Sequence, residues 1–216
     1  AEKLDPDNPD VKLTLAFDYL SLGEERLFSE KVDDLRRLNA GRELLWADAI
    51  RAYRDDQPER ARAAILKVLA EDPKDVWAMS SLSALRGTPE QAKESLKVLL
   101  TADPELLQAA DPGYRAGDAL ICLLAQLGDR ERAKALTQRW EPVWRSRQAF
   151  SWLAESARYN SLARSLSCID RKEDALAEIE ALVYEGLNIG WRDMAVDPAY
   201  DAIRDDPRFR AVSDKL

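Results

Sequence analysis

Apolar residues recur along this chain at spacings of three and four rather than two. Ala61, Ala64, Ile65, Val68 and Leu69 fall on one helical face, as do Ala175, Leu176, Ile179, Leu182 and Val183. Strand-like alternation is almost absent, so the pattern predicts an all-α protein of short helices. Asp72-Pro73, Asp103-Pro104, Asp111-Pro112, Asp197-Pro198 and Asp206-Pro207 each set a carboxylate before a proline. The carboxylate can accept from orphan N–H groups, and proline lacks the N–H that a first helical residue leaves unpaired, so helix starts are expected there. Thr88-Pro89-Glu90-Gln91 and Asp170-Arg171-Lys172-Glu173 have the spacing of capping boxes.

The chain also resembles itself. Glu59 to Pro73 (ERARAAILKVLAEDP) aligns without gaps on Glu90 to Pro104 (EQAKESLKVLLTADP), matching Ala61 with Ala92, Ile65 with Leu96, Val68 with Leu99 and Pro73 with Pro104. A small residue, an apolar residue four later and a proline twelve after the small one resemble the second helix of the tetratricopeptide repeat, a helix–turn–helix unit of about 34 residues. First helices fit at Leu15-Ala16, Tyr19 and Gly23; at Ala49 with a turn at Asp55-Asp56-Gln57; and at Ser80 and Gly87. Two more fit at Leu120, Leu124 and Gly128 with Ala133, and at Tyr159, Leu162-Ala163 and Leu166 with Ala175. Ile121 stands where the fourth unit should carry a small residue.

The resemblance implies a right-handed α-solenoid of about five helix–turn–helix units over 1–189, closed by a capping segment of short helices over 190–216. The closing stretch, from Gly190-Trp191 to Phe209, looks like the end of repeat regions in bacterial winged-helix regulators, nucleotide cyclases and receptor-type kinases. Met194, Tyr200, Ile203 and Phe209 are expected to cover the last apolar face. Ala1 to Pro9 reads as the tail of an earlier second helix and its proline turn, and with Ala1 rather than Met at the start it suggests a piece of a longer protein.

Composition narrows the chemistry. Of 216 residues, 32 are Lys or Arg and 40 are Asp or Glu, for a net charge of −8, and there is no histidine. The acidic balance disfavours general binding to nucleic-acid phosphates or anionic membranes. Without histidine, imidazole acid–base catalysis, Ser-His-Asp and Cys-His nucleophiles and His-ligated metals are ruled out. Asp33-Asp34, Asp55-Asp56 and Asp205-Asp206 read as caps or solvated charge, and the calcium-loop likeness at Asp5 fails because Asp10 and Ala16 stand where Gly and Glu are needed. With no phosphate-cradling loop or nucleophile elbow either, we expect no enzyme activity, no cofactor and no metal. Cys122 and Cys168 lie in apolar runs and read as two buried free thiols, which points to a reducing compartment such as the cytoplasm. No stretch reaches the roughly 18 uncharged apolar residues of a membrane helix.

Binding is the function that remains. The resemblance implies a concave face lined by the second, fifth, ninth, twelfth and thirteenth positions of each first helix, which holds extended peptides or partner helices. By register these are Glu43, Trp46, Ile50, Tyr53 and Arg54; Lys74, Trp77, Ser81, Ala84 and Leu85; Arg115, Asp118, Cys122, Ala125 and Gln126; and Ala157, Asn160, Arg164, Ser167 and Cys168. The ninth positions, from Phe17 to Arg164, include no Asn, so the family's carboxylate clamp is absent. The candidate contacts are Trp46, Tyr53, Arg54, Trp77, Arg115, Asp118, Gln126, Asn160 and Arg164, suited to a peptide with apolar and acidic side chains. Trp46 and Trp77 also fit a second role, as the repeat's own core aromatics. Arg130 to Arg147 interleaves basic residues with Trp140 and Trp144. Their spacing of four puts both Trp on one helix face, most simply a packed one, which argues for an acidic protein surface over a nucleic acid.

The alternative function is a regulatory sensor domain, C-terminal in a bacterial transcription regulator, cyclase or kinase.

Overall fold

In a computed structural model, which describes residues 5–146, 161–184 and 196–213, the chain forms helices and turns, and the described residues contain no strand. It divides into an N-terminal unit, Ala1–Pro73, and a C-terminal unit, Lys74–Leu216.

In the N-terminal unit α1 (Pro9–Leu22) pairs with α2 (Glu25–Arg37) and α3 (Gly41–Arg54) pairs with α4 (Pro58–Glu71). Helix α3 also packs on both α1 and α2. Ala16, Leu20 and Phe28 form one buried cluster with Ile50 against it; Leu35, Ala40 and Ala47 form another.

In the C-terminal unit helix α5 (Val76–Ser83) packs on α6 (Pro89–Ala102), and α7 (Tyr114–Gln126) packs on α5, α6 and α8 (Arg130–Ser146). The main partner of α5 is α7 rather than its sequence neighbour. A helical stretch over 161–168 (α9), α10 (Lys172–Tyr184) and α11 (Pro207–Ser213) complete it, with short 3-10 turns at Leu106–Gln108 and Pro198–Tyr200. Helix α7 is the centre: every residue from Ala116 to Leu124 is buried, as in a helix covered on all sides. Among the described residues no helix is long and apolar enough to cross a membrane.

Local chemistry sets the boundaries. Helices α1, α3, α7 and α9 end alike: a left-handed residue (Gly23, Asp56, Gly128, Asp170) lets an N–H reach back five residues. These bonds run from Glu24 to Tyr19, Gln57 to Ala52, Asp129 to Leu124 and Arg171 to Leu166, at 2.8–2.9 Å. The aligned α4 and α6 are both 14 residues long, start on proline, and end on an Asp with φ near −135° and ψ near 90°. Asn8 caps α1, Asp75 caps α5, and Thr88 with Gln91 forms a reciprocal capping box on α6. Replacing Thr88 by Ala is expected to cost about 1 kcal/mol, read as a lower chemical-denaturation midpoint with unchanged slope.

Several expectations need correction. Asp72 and Asp103 close α4 and α6 rather than opening the next helix. Asp103 and Asp111 instead accept N–H groups two residues on, as turn-forming side chains do. Asp170 is not a cap but the left-handed residue ending α9. Helix α5 stops at Ser83, four residues before the expected turn at Gly87; Leu85 is buried and Arg86 pairs with Asp201. The close approach expected at Ile121 occurs one turn earlier, where a Cβ on Gly117 would lie 2.5 Å from the Trp144 ring. Trp140 and Trp144 are fully buried, 6.2 Å apart. Of the capping residues expected at the C-terminus, Tyr200, Ile203 and Phe209 are buried, and Met194 lies outside the described residues.

Candidate functional site

In the C-terminal unit, candidates from α5, α7 and α9 come together. Trp77 sits in the first turn of α5 and is 54% exposed, one of three large exposed hydrophobics among the described residues, with its neighbour Val76 another. The Arg115 guanidinium, from the first turn of α7, lies over the Trp77 ring, 3.3 Å from its centroid, in cation–π geometry. Burial depresses the Arg115 pKa against the pull of Asp118. Trp77 is therefore a surface aromatic and not core filler. Trp46 and Tyr53, half-buried on α3, belong to the N-terminal unit.

Behind that pair lies a charged cluster sealed from solvent. Asp118 and Arg164 are 4% exposed and Asp197 is 6% exposed. Arg164 Nε donates to Asp197 Oδ2 at 2.7 Å, and its Nη1 lies 3.5 Å from Asp118 Oδ2. Desolvation pushes Asp118 up to about 6, although Arg164 and Arg115 oppose it. For Arg164, burial works against the charge, but Asp197 and Asp118 outweigh it, so its pKa is raised. Asp118 Oδ1 and Ser165 Oγ have no hydrogen-bond partner.

The face predicted to receive a partner meets the chain's own closing segment here. Asp197 holds Arg164 and also caps the 3-10 turn through the Ala199 N–H. Ser167 Oγ donates to the Ala199 carbonyl at 2.7 Å, and Asp201 takes a bidentate pair from Arg86 at 2.8 Å. In the same segment Tyr200 is fully buried and packed on Phe209.

Two candidates serve as staples between first helices. Gln126 Nε2 donates to the Ser83 carbonyl at 3.1 Å, and Arg54 Nη1 donates to the Leu20 carbonyl. Each reaches from the thirteenth position of one first helix to the C-terminal end of the preceding one, where carbonyls lack helical partners. Asn160 lies outside the described residues.

Cys122 and Cys168 are not free thiols: they form a disulfide with Cα atoms 5.4 Å apart. Their separation of 46 in sequence gave no sign of this, because α7 and α9 become neighbours only on folding. Cys122 is fully buried and Cys168 partly exposed. The disulfide lines a cavity of about 420 Å³, together with Leu85, Ala125, Gln126 and Ser167 from predicted concave positions and with Pro198, Ala199, Asp201 and Ala202 of the closing segment.

Among the described residues of the basic run, Arg130 pairs with Asp170, Lys134 with Glu131, and Arg145 with Glu141 and Glu178. With both Trp buried, no stacking platform faces outward there.

Fold and site together define an all-helical protein of successive helix pairs. Compared with known proteins, the chain matches no family model, no curated protein and no solved structure.

Proposed function

We propose that this chain is a tetratricopeptide-like helical-repeat module that binds a protein partner. Supporting the solenoid reading are the contacts between the successive helices α1 and α2, α3 and α4, α5 and α6, and α7 and α8, and the matched caps of α4 and α6. The observation that carries the binding reading is Trp77 standing 54% exposed with Arg115 across its ring. Val76 and Trp77 are adjacent exposed apolar residues, and Trp and Arg are enriched among the side chains that anchor interfaces. The partner is a peptide or protein surface with an apolar side chain for the indole and a carboxylate for the guanidinium.

A displayed peptide library selected on the purified chain tests this. Enriched peptides are expected to combine aliphatic or aromatic with acidic residues. Trp77→Ala should weaken them by about 2 kcal/mol, roughly 30-fold in Kd, with an unchanged melting curve. No enrichment, or equal binding to the variant, refutes the reading.

The second reading, a regulatory sensor domain of a bacterial regulator, cyclase or kinase, has one observation in its favour, the open pocket of about 420 Å³ that the closing segment helps to line. The cytoplasmic expectation rests on two free thiols and loses that ground with the disulfide, because cytosolic cysteines are generally held reduced.

A further inference from the structure

We propose that Cys122–Cys168 is a thiol-exchange site, in which a small thiol bearing both a carboxylate and an ammonium group enters the cavity and forms a mixed disulfide on Cys168. The inference does not rest on the partner-binding reading.

Three observations carry it. The disulfide is part of the wall of a cavity of about 420 Å³, room for a ligand of a few residues' size. The two cysteines are unequal: Cys122 is a fully buried residue on the central helix and Cys168 a partly exposed one, while both line the cavity. Attack is therefore directed at Cys168, with Cys122 as the leaving group. The same cavity is bounded by Arg86 and Arg130 and by Asp170 and Asp201, so charges of both signs meet whatever enters. Exposed pairs such as Arg86–Asp201 and Arg130–Asp170 hold each other weakly and can share their charge with a zwitterion.

The exchange balances. The entering thiolate forms an S–S bond to Cys168 Sγ, the Cys122–Cys168 bond breaks, and Cys122 leaves as a thiolate that takes the proton released by the entering thiol. No net oxidant or reductant is consumed. The Cys122 Sγ lies 3.8 Å from the Arg164 carbonyl oxygen, which can accept the new S–H. The adduct would lie beside Ser167, whose hydroxyl holds the closing segment through the Ala199 carbonyl.

The test uses the full 216-residue chain with its disulfide intact. The protein is incubated with reduced glutathione, with cysteine or with 2-mercaptoethanol, quenched with N-ethylmaleimide, and mapped by peptide mass spectrometry. The expected result is one glutathionyl or cysteinyl group on Cys168 and maleimide on Cys122. Each rate is normalised to that thiol's rate with a small-molecule disulfide, and the two zwitterionic thiols should then react several-fold faster than 2-mercaptoethanol. An adduct on Cys122, an untouched disulfide, passage to the dithiol with no trapped adduct, or equal normalised rates each overturns the proposal. The single variants Cys122→Ser and Cys168→Ser, checked for helicity by circular dichroism, add a second readout with oxidised glutathione. Only the chain retaining Cys168 should acquire the adduct, and labelling of the chain retaining only Cys122 contradicts the assignment.

Discussion

Arg164→Ala is expected to destabilise the chain by about 3–5 kcal/mol near neutral pH, lowering the melting temperature by on the order of 10 °C. The substitution leaves Asp118 and Asp197, each under a tenth exposed, without the guanidinium between them. It also cuts the tie from α9 to the closing segment, so thermal melts followed by far-ultraviolet circular dichroism should show the loss directly. The same cluster predicts a pH effect with a definite sign. Asp118 is raised to about 6 by burial, so the neutral acid is the form the fold prefers. Its contribution is fully present below about pH 4 and is lost as pH rises through 6. Asp118→Asn removes that dependence. The stability difference, variant minus wild type, should grow by up to about 3 kcal/mol between pH 4 and pH 7. A difference that stays flat with pH would show that Asp118 is ionised throughout. For Arg164→Ala the penalty should shrink towards pH 4, because Asp118 can then protonate.

Gly117→Ala is the second large effect. Alanine normally helps a helix interior by up to about 1 kcal/mol over glycine. Here its Cβ would sit 2.5 Å from Trp144 Cζ2 and 2.8 Å from Pro112 Cγ. Trp144 is fully buried and proline is rigid, so neither can withdraw cheaply. Overpacking wins, and a net loss of about 1–3 kcal/mol is expected in a denaturant titration. Gly41→Ala is the matched control, since a Cβ there meets nothing within 4 Å. Its stability should hold level or rise slightly. Equal behaviour of the two variants would remove the packing explanation for the glycine on α7.

Much of the local architecture was legible in the sequence because caps and helix faces depend on neighbours within a few residues. The three-and-four spacing located the helices, and Pro89 stands at a helix start as its capping-box spacing implied, whereas Pro9, read as a turn after an earlier helix, opens α1. The Thr88 capping box and the packed face shared by Trp140 and Trp144 also came out as the spacing implied. The Asp-Pro pairs misled where the same two residues can end one helix as readily as begin the next, as at Asp72 and Asp103. The small residue of the fourth unit was sought at Ile121 because register was carried over by count. The requirement is contact with Trp144, and Gly117 meets it one turn away.

The candidate site divides along the same line. Register carried over from the repeat resemblance put Trp77 and Arg115 among the groove candidates, but it could not say whether the indole faced water or the core. That depended on how α5 and α7 are set against each other, since only then does Arg115 come to lie over the ring. By register Asp118 and Arg164 read as groove charges, yet they are buried together with Asp197 of the returning chain and form an internal cluster. By itself the sequence determined the helical class, the pairing of successive helices and the absence of imidazole chemistry, because these follow from short-range spacing and composition. Only the tertiary structure decided that Cys122 and Cys168 are joined and that the closing segment lines a pocket beside them. Both depend on contacts between residues more than thirty positions apart, where loop closure leaves no trace in the local pattern.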